Sequence, residues 1–159
     1  MGNDQAKVTH FINDDGFLRR VSSAGSVKNG VVDQKAFEPR QDEKALSFTF
    51  QNESLQSDDA IRQYQLDIEV KSGDLLGIFM LTFGDLTVKL EPPLPPRRTP
   101  DRSDAKYGGL HCSTDLPGNK DHREKMALLA TDRIATDRGV NLEFVPKRKR
   151  FDSQSSFRI

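Results

Sequence analysis

Apolar and polar residues alternate most cleanly in LSFTF (46–50). Leu46, Phe48 and Phe50 share one face, and Ser47 and Thr49 share the other, which is the period of a half-buried strand. GFLRRV (16–21) predicts a shorter strand after the Asp14-Asp15-Gly16 turn, with Arg19 and Arg20 projecting to opposite faces. The densest apolar run is DLLGIFMLTFGDLTVKL (74–90). Leu75 to Phe83 fits a central strand buried on both sides, Gly84-Asp85 marks a turn or bulge, and LTVKL reads as a continuing strand. GVNLEFV (139–145) alternates again and predicts a late strand. VVDQKAF (31–37) fits a helical turn as well as a strand, and Ser22 to Gly30 reads as a loop.

Two stretches carry a helical period. From 57 to 69, Ser57 offers a cap, Asp58 and Asp59 favour the first turn, and Ile61, Tyr64 and Ile68 form a stripe. The competing reading is a strand in which Tyr64, Leu66, Ile68 and Val70 alternate with polar residues. From 121 to 131, Asp121 and Glu124 form a variant capping box. Met126, Ala127, Ala130 and Ile134 share a face, and Gly139 is the stop signal. Between these lies EPPLPPRRTPDRSD (91–104), with five of the eight prolines; it reads as an extended, solvated connector. Strands and helices mix without a βαβ rhythm. The expectation is an α+β fold, a mainly antiparallel sheet of about five strands with two helices. Residues 1–15 read as a flexible N-terminus apart from a short apolar piece at 8–12. Residues 16–146 read as one domain, and 147–159 as a basic and polar tail.

Composition narrows the classes. Hydrophobic residues are 35% and charged residues 30% of the chain, more polar than an average domain. Twenty-four basic residues balance 24 acidic ones, which argues against a whole-protein field for nucleic acid or membrane. A single cysteine excludes an internal disulfide framework and fits a reducing compartment. No stretch approaches the length of a membrane span, and the start lacks the apolar run of a secretion signal. The expectation is a soluble, cytoplasmic protein.

The crowded stretch LHCSTDLPGNKDH (110–122) holds Cys112 and two of the three histidines. On a strand, His111, Ser113 and Asp115 share the wetter face, and Leu110, Cys112 and Thr114 the core face. The acid–base reading makes His111, Asp115 and His122 catalytic candidates: a histidine moves the proton and the carboxylate orients it. His122 at a helix start favours the neutral ring. The H-C-x2-D-x6-H spacing matches no zinc template, so no metal and no cofactor is expected. His111-Cys112-Ser113 also carries the H-x-[ST] half-motif of two-histidine phosphoesterases, but neither His10 nor His122 supplies the second copy. The plainer reading is structural: these groups bond the turn, and Cys112 packs in the core.

Three other surfaces stand out. Arg19, Arg20, Arg97 and Arg98 form two pairs that would bind an anion if both lay beside His111. Pro92, Pro95 and Arg97 spell P-x-x-P-x-R, a polyproline ligand for an aromatic groove on a partner protein. Lys147, Arg148, Lys149 and Arg150 could add weak, salt-sensitive association with nucleic acid. The leading expectation is therefore a small protein–protein interaction module. A small hydrolase or anionic-ligand-binding domain is the alternative.

Overall fold

The computed structural model describes residues 10–21, 25–28, 31–39, 42–68, 75–100 and 102–140, with side chains left out at 75–76, 102–103, 132 and 134–140. Among the described residues, eight strands and two α-helices follow one another: β1 (Gly16–Val21), β2 (Val27–Lys28), β3 (Val31–Val32), β4 (Leu46–Gln51), α1 (Asp58–Ile68), β5 (Leu75–Thr82), β6 (Arg97–Arg98), β7 (His111–Thr114), α2 (Lys120–Leu129) and β8 (Thr131–Val140). Six strands form one sheet in the order β6-β7-β4-β1-β5-β8, and β2 pairs with β3 separately. Every pairing is antiparallel. This is the α+β architecture expected, with β6 as a two-residue sixth strand.

Central β1 owes its place to two apolar faces. Phe17 and Val21 point to one side of the sheet and Leu18 to the other, and all three are buried. The first side is aromatic. Phe17, Phe48, Phe79 and Leu81 pack there beneath Phe37, Leu86, Leu90, Leu94 and Met126. Phe11, from the apolar piece before the first turn, meets Phe17 edge-on at 4.9 Å and Phe50 at 5.2 Å. The second side carries Leu18 and Ile78 beneath Ile61 and Tyr64 of α1. Full burial of each such side chain is worth about 1.5–3 kcal/mol.

Helix α1 starts as expected: Ser57 Oγ accepts the Ala60 N–H at 3.1 Å. Its stripe of Ile61 and Tyr64 is buried, which decides the helix over the strand reading. Several expectations need correction. LTVKL is not a strand. Thr82 and Asp85 exchange reciprocal bonds of 2.9 and 3.0 Å between side chain and backbone, which turns the chain into a π-helical turn at Asp85–Lys89. Helix α2 is capped by Asn119, whose side chain accepts the His122 N–H at 3.0 Å, and not by Asp121. It stops at Leu129. Ala130 is extended, and residues 131–140, including Ile134 and Gly139, form a strand paired with β5. Long-range pairing overrides the local helix preference there. Of the late strand, Gly139 and Val140 belong to β8, while 141–145 lie outside the described residues, as does the tail. VVDQKAF is both things in turn: Val31–Val32 pairs in a hairpin, and Asp33 caps a 3₁₀ turn at Gln34–Phe37. Val27–Lys28 supplies the hairpin's other strand from within the expected loop.

The proline stretch is not simply solvated. Pro92, Pro93 and Pro95 are exposed, but Leu94 and Pro96 are buried. The Leu94 N–H donates to the Leu86 carbonyl at 2.8 Å. The stretch is a strap over the aromatic face. It ends in edge strand β6 and a 3₁₀ segment at Arg102–Tyr107.

Candidate functional site: the polar cluster around His111

Strand alternation in β7 sends Cys112 and Thr114 to the aromatic side and His111 and Ser113 to the α1 side. Thr49 stands opposite His111, and Ser47 opposite Ser113. Thr99 closes the group from the edge. Its backbone N–H donates to the His111 carbonyl at 3.0 Å. His111 Nδ1 lies 2.7 Å from the Thr99 carbonyl oxygen and 2.9 Å from Thr99 Oγ1. A carbonyl can only accept, so Nδ1 carries the proton and Nε2 is the basic nitrogen. Thr99 Oγ1 also reaches Ser113 Oγ at 2.8 Å.

Behind this group lies Asp104, only 1% exposed. Its Oδ2 accepts the His111 backbone N–H at 2.7 Å and the Tyr64 hydroxyl at 3.4 Å. Burial pushes the Tyr64 phenol well above its ordinary range, and the Asp104 carboxylate adds to the effect. A second pair mirrors the first. The Tyr107 hydroxyl donates a hydrogen bond to Asp67 Oδ2. Burial and the neighbouring carboxylate likewise raise Tyr107. Burial alone would raise Asp67 as well; hydrogen bonds from Tyr107, Gln63 and Lys106 outweigh it and hold the carboxyl below its ordinary value. The two rings meet edge-on at 4.7 Å.

The crossing of these bonds is informative. Helix α1 contributes Tyr64 and Asp67, and the 3₁₀ segment contributes Asp104 and Tyr107. Each tyrosine bonds the other element's aspartate, so the pairs clasp α1 to the segment that leads into β7. Sequence reasoning missed this clasp. Its visible trace is the matched spacing, Tyr-x-x-Asp at 64–67 and Asp-x-x-Tyr at 104–107, in a chain with only two tyrosines.

The other expected site residues are placed as follows. His122 is buried: Nδ1 accepts the Gly118 N–H at 2.8 Å, and Nε2 faces the Pro92 carbonyl at 2.8 Å. Nδ1 thus closes the turn before α2 and Nε2 ties the helix to the proline strap, and no hydrogen bond joins His122 to His111. Asp115 is exposed and pairs with Arg97 at 3.3 Å, so it orients neither histidine. Cys112 is fully buried, and burial pushes its thiol up to about 12, the reverse of an activated nucleophile. Arg19 turns to the aromatic side. It donates to the Ala36 and Ser47 carbonyls at 3.0 and 3.1 Å and lies over the Phe48 ring. Arg98 lies over the Phe50 ring and donates to the Gly108 carbonyl at 3.3 Å. Alternation places Arg20 and Arg97 on the same side of the sheet as His111, one arginine of each pair. Lys147 to Arg150 lie outside the described residues.

Among the described residues, no group of three or more His, Cys, Asp or Glu side chains could hold a metal ion, and no helix is long and apolar enough to cross a membrane. No family model, curated protein or solved structure matches the chain.

Proposed function

We propose that this chain is a protein-binding module, docking its partner on the face built from α2, the proline strap and the π-helical turn. One observation carries the reading. Leu128 on α2 is 83% exposed and Val88 on the π-helical turn is 71% exposed, on two elements that touch. Each leaves most of its burial free energy, about 1.5–3 kcal/mol per side chain, unrealised in the isolated chain. The strap is bonded to both elements, through Leu94–Leu86 and His122–Pro92, and its Pro92, Pro93 and Pro95 are exposed. Apolar side chains held on elements already bonded together lose little entropy on docking. Exposed Lys89, Glu91, Glu124 and Lys125 supply the polar rim an interface needs.

The polyproline reading of Pro92, Pro95 and Arg97 takes a different form in this setting. All three side chains are exposed, yet Leu94 between them is buried. A groove that grips the peptide on its own would have to strip Leu94 from the core. The strap therefore serves as part of a folded surface, not as a free peptide ligand.

The test starts by identifying the partner through cross-linking and mass spectrometry. Binary calorimetry with the purified partner and chain follows. Val88→Asp with Leu128→Asp should weaken binding by at least about tenfold, since central apolar anchors typically cost more than 1 kcal/mol each. Thermal unfolding should stay unchanged, because both side chains face water. Unchanged affinity in the double variant overturns the reading.

A further inference from the structure

We infer that the α1-side face of the sheet, at the level of Ser113, is a binding site for a phosphate-sized oxyanion. The proposal is independent of the docking face above and uses different elements.

The register builds the site. Arg97 on β6 stands opposite Ser113 on β7, and Ser113 stands opposite Ser47 on β4. The β1–β4 pairing ends at Leu18–Thr49; two residues further on, alternation puts Arg20 and Ser47 on the same side of the sheet. Arg20's other neighbour across the sheet is Ile78, which packs on the α1 side and fixes the face. Arg97, Ser113 and Ser47 thus form a row across three paired strands, and Arg20 shares their side of the sheet on the next strand. Paired strands lie about 4.8 Å apart, so two extended arginine side chains that lean inward from the outer strands are long enough to reach one ligand over the serines. One step along the strands lie Thr99, His111 and Thr49, so hydroxyls border the row.

Proton bookkeeping shows a donor left over. His111 Nδ1–H points at the Thr99 carbonyl. The Thr99 hydroxyl can donate to Ser113 Oγ, and the Ser113 hydroxyl proton then remains for a ligand. Ser113 is buried, while Ser47, Arg20 and His111 are half-buried, so charge-assisted bonds form there against reduced competition from water. Arg20 has a partner of its own, but a guanidinium carries five N–H donors.

The structure also contains a stand-in for the ligand. Asp115, two residues beyond Ser113 on the same face, lays a carboxylate oxygen 3.3 Å from Arg97 Nη1. The carboxylate is 78% exposed, and an exposed pair of this kind is weak and easily exchanged. A tetrahedral dianion offers both forks and the hydroxyls more acceptor oxygens than one carboxylate does. The ligand class is therefore a phosphate or phosphate monoester, with the Asp115 carboxylate as its internal competitor.

The experiment is an amide NMR titration of the full chain with inorganic phosphate, with adenosine monophosphate, and with sodium chloride at matched ionic strength. Saturable shifts should cluster at Ser47, Thr99, His111 and Ser113 with phosphate but not with chloride. A stronger response to the monophosphate would identify an organic phosphate as the ligand, and equal responses would identify the free anion. Arg97→Gln should weaken phosphate binding about tenfold, the loss of one charge-assisted fork. Asp115→Asn should tighten it, whereas Lys89→Gln, which removes a positive charge on a different element, should leave it unchanged. Shifts reproduced by chloride, or an Arg97→Gln chain that binds as before, would sink the proposal.

Discussion

The two faces of the central sheet solve the same problem with opposite materials. One is closed by rings: Phe11, Phe17, Phe48, Phe50, Phe79 and Phe83, with a single buried arginine that finds two carbonyls. The other is closed by a helix held through Tyr64, Asp67, Asp104 and Tyr107. Apolar packing is non-directional and summed over area, so it fixes that the chain folds. Hydrogen bonds between buried groups are directional and costly to half-break, so they fix where α1 and the 102–111 segment sit. The polar face is also the one that leaves donors for a ligand. The comparison therefore separates a face that stabilises from a face that positions.

The strongest way to break that contrast is to remove a ring. Phe17 is fully buried at the centre of the aromatic face. Phe17→Ala should cost about 3–5 kcal/mol in urea unfolding, the transfer term plus the cavity left behind. A loss below about 1 kcal/mol, the scale of a surface change, would show that the rings carry less than their burial implies.

Next in size is the clasp. Asp104→Ala leaves the Tyr64 hydroxyl and the His111 N–H without their acceptor, at a cost of about 1–3 kcal/mol. Its effect should be positional as well. Amide shifts should spread along α1 and through residues 99–111 while those of the aromatic face stay put. A double-mutant cycle with Tyr64→Phe should show coupling between the two. Additive effects would mean that the 3.4 Å contact contributes nothing by itself.

The titration of the clasp sharpens the comparison further, because both tyrosines of the chain belong to it. A phenol or thiol whose value is raised on folding holds its proton more tightly in the folded state. The stability it contributes is complete below the ordinary value and disappears as pH climbs through the folded one. Cys112 starts at 9.0 and is pushed to about 12, so its share declines across that window. Tyr64 and Tyr107 start at 10.0 and move upward, so their share declines above pH 10.0. Tyrosinate absorbance should therefore stay silent through pH 10.0 and rise only as the fold opens. Tyrosinate appearing at ordinary pH in a folded chain would mean that the phenols are not held as described.

How much of this could be read from the sequence follows the same division. Strands at 16–21 and 46–50 and the helix at 57–69 were legible because their apolar periods are local. The fate of residues 130–140 was not. ALLATDRI continues a helical pattern, and only pairing with β5, far away in the chain, makes it a strand. Thr82 and Asp85 hid the π-helical turn for a related reason, since their exchange of bonds depends on side-chain geometry and not on hydrophobicity. At the site, alternation alone separated His111 and Ser113 from Cys112. It could not say that Asp115 would turn to Arg97, or that Asp104, inside a proline-rich stretch, would become the most buried carboxylate of the cluster.

Asp104 and Asp115 make the last and smallest contrast. Both serve the same strand, one at 1% and one at 78% exposure. The buried carboxylate holds backbone and phenol donors and cannot be lost cheaply. The exposed one holds a single guanidinium in water, where such a pair contributes about 0–1 kcal/mol. Asp115→Asn should lower the unfolding free energy by no more than that, and by less at high salt, because exposed pairs are screened. Paired with Asp104→Ala in the same denaturation series, it separates a carboxylate that builds the fold from one that only occupies an arginine. An Asp115→Asn chain destabilised as much as Asp104→Ala would place Asp115 in the fold's foundation and remove the reason for treating the Arg97 edge as exchangeable.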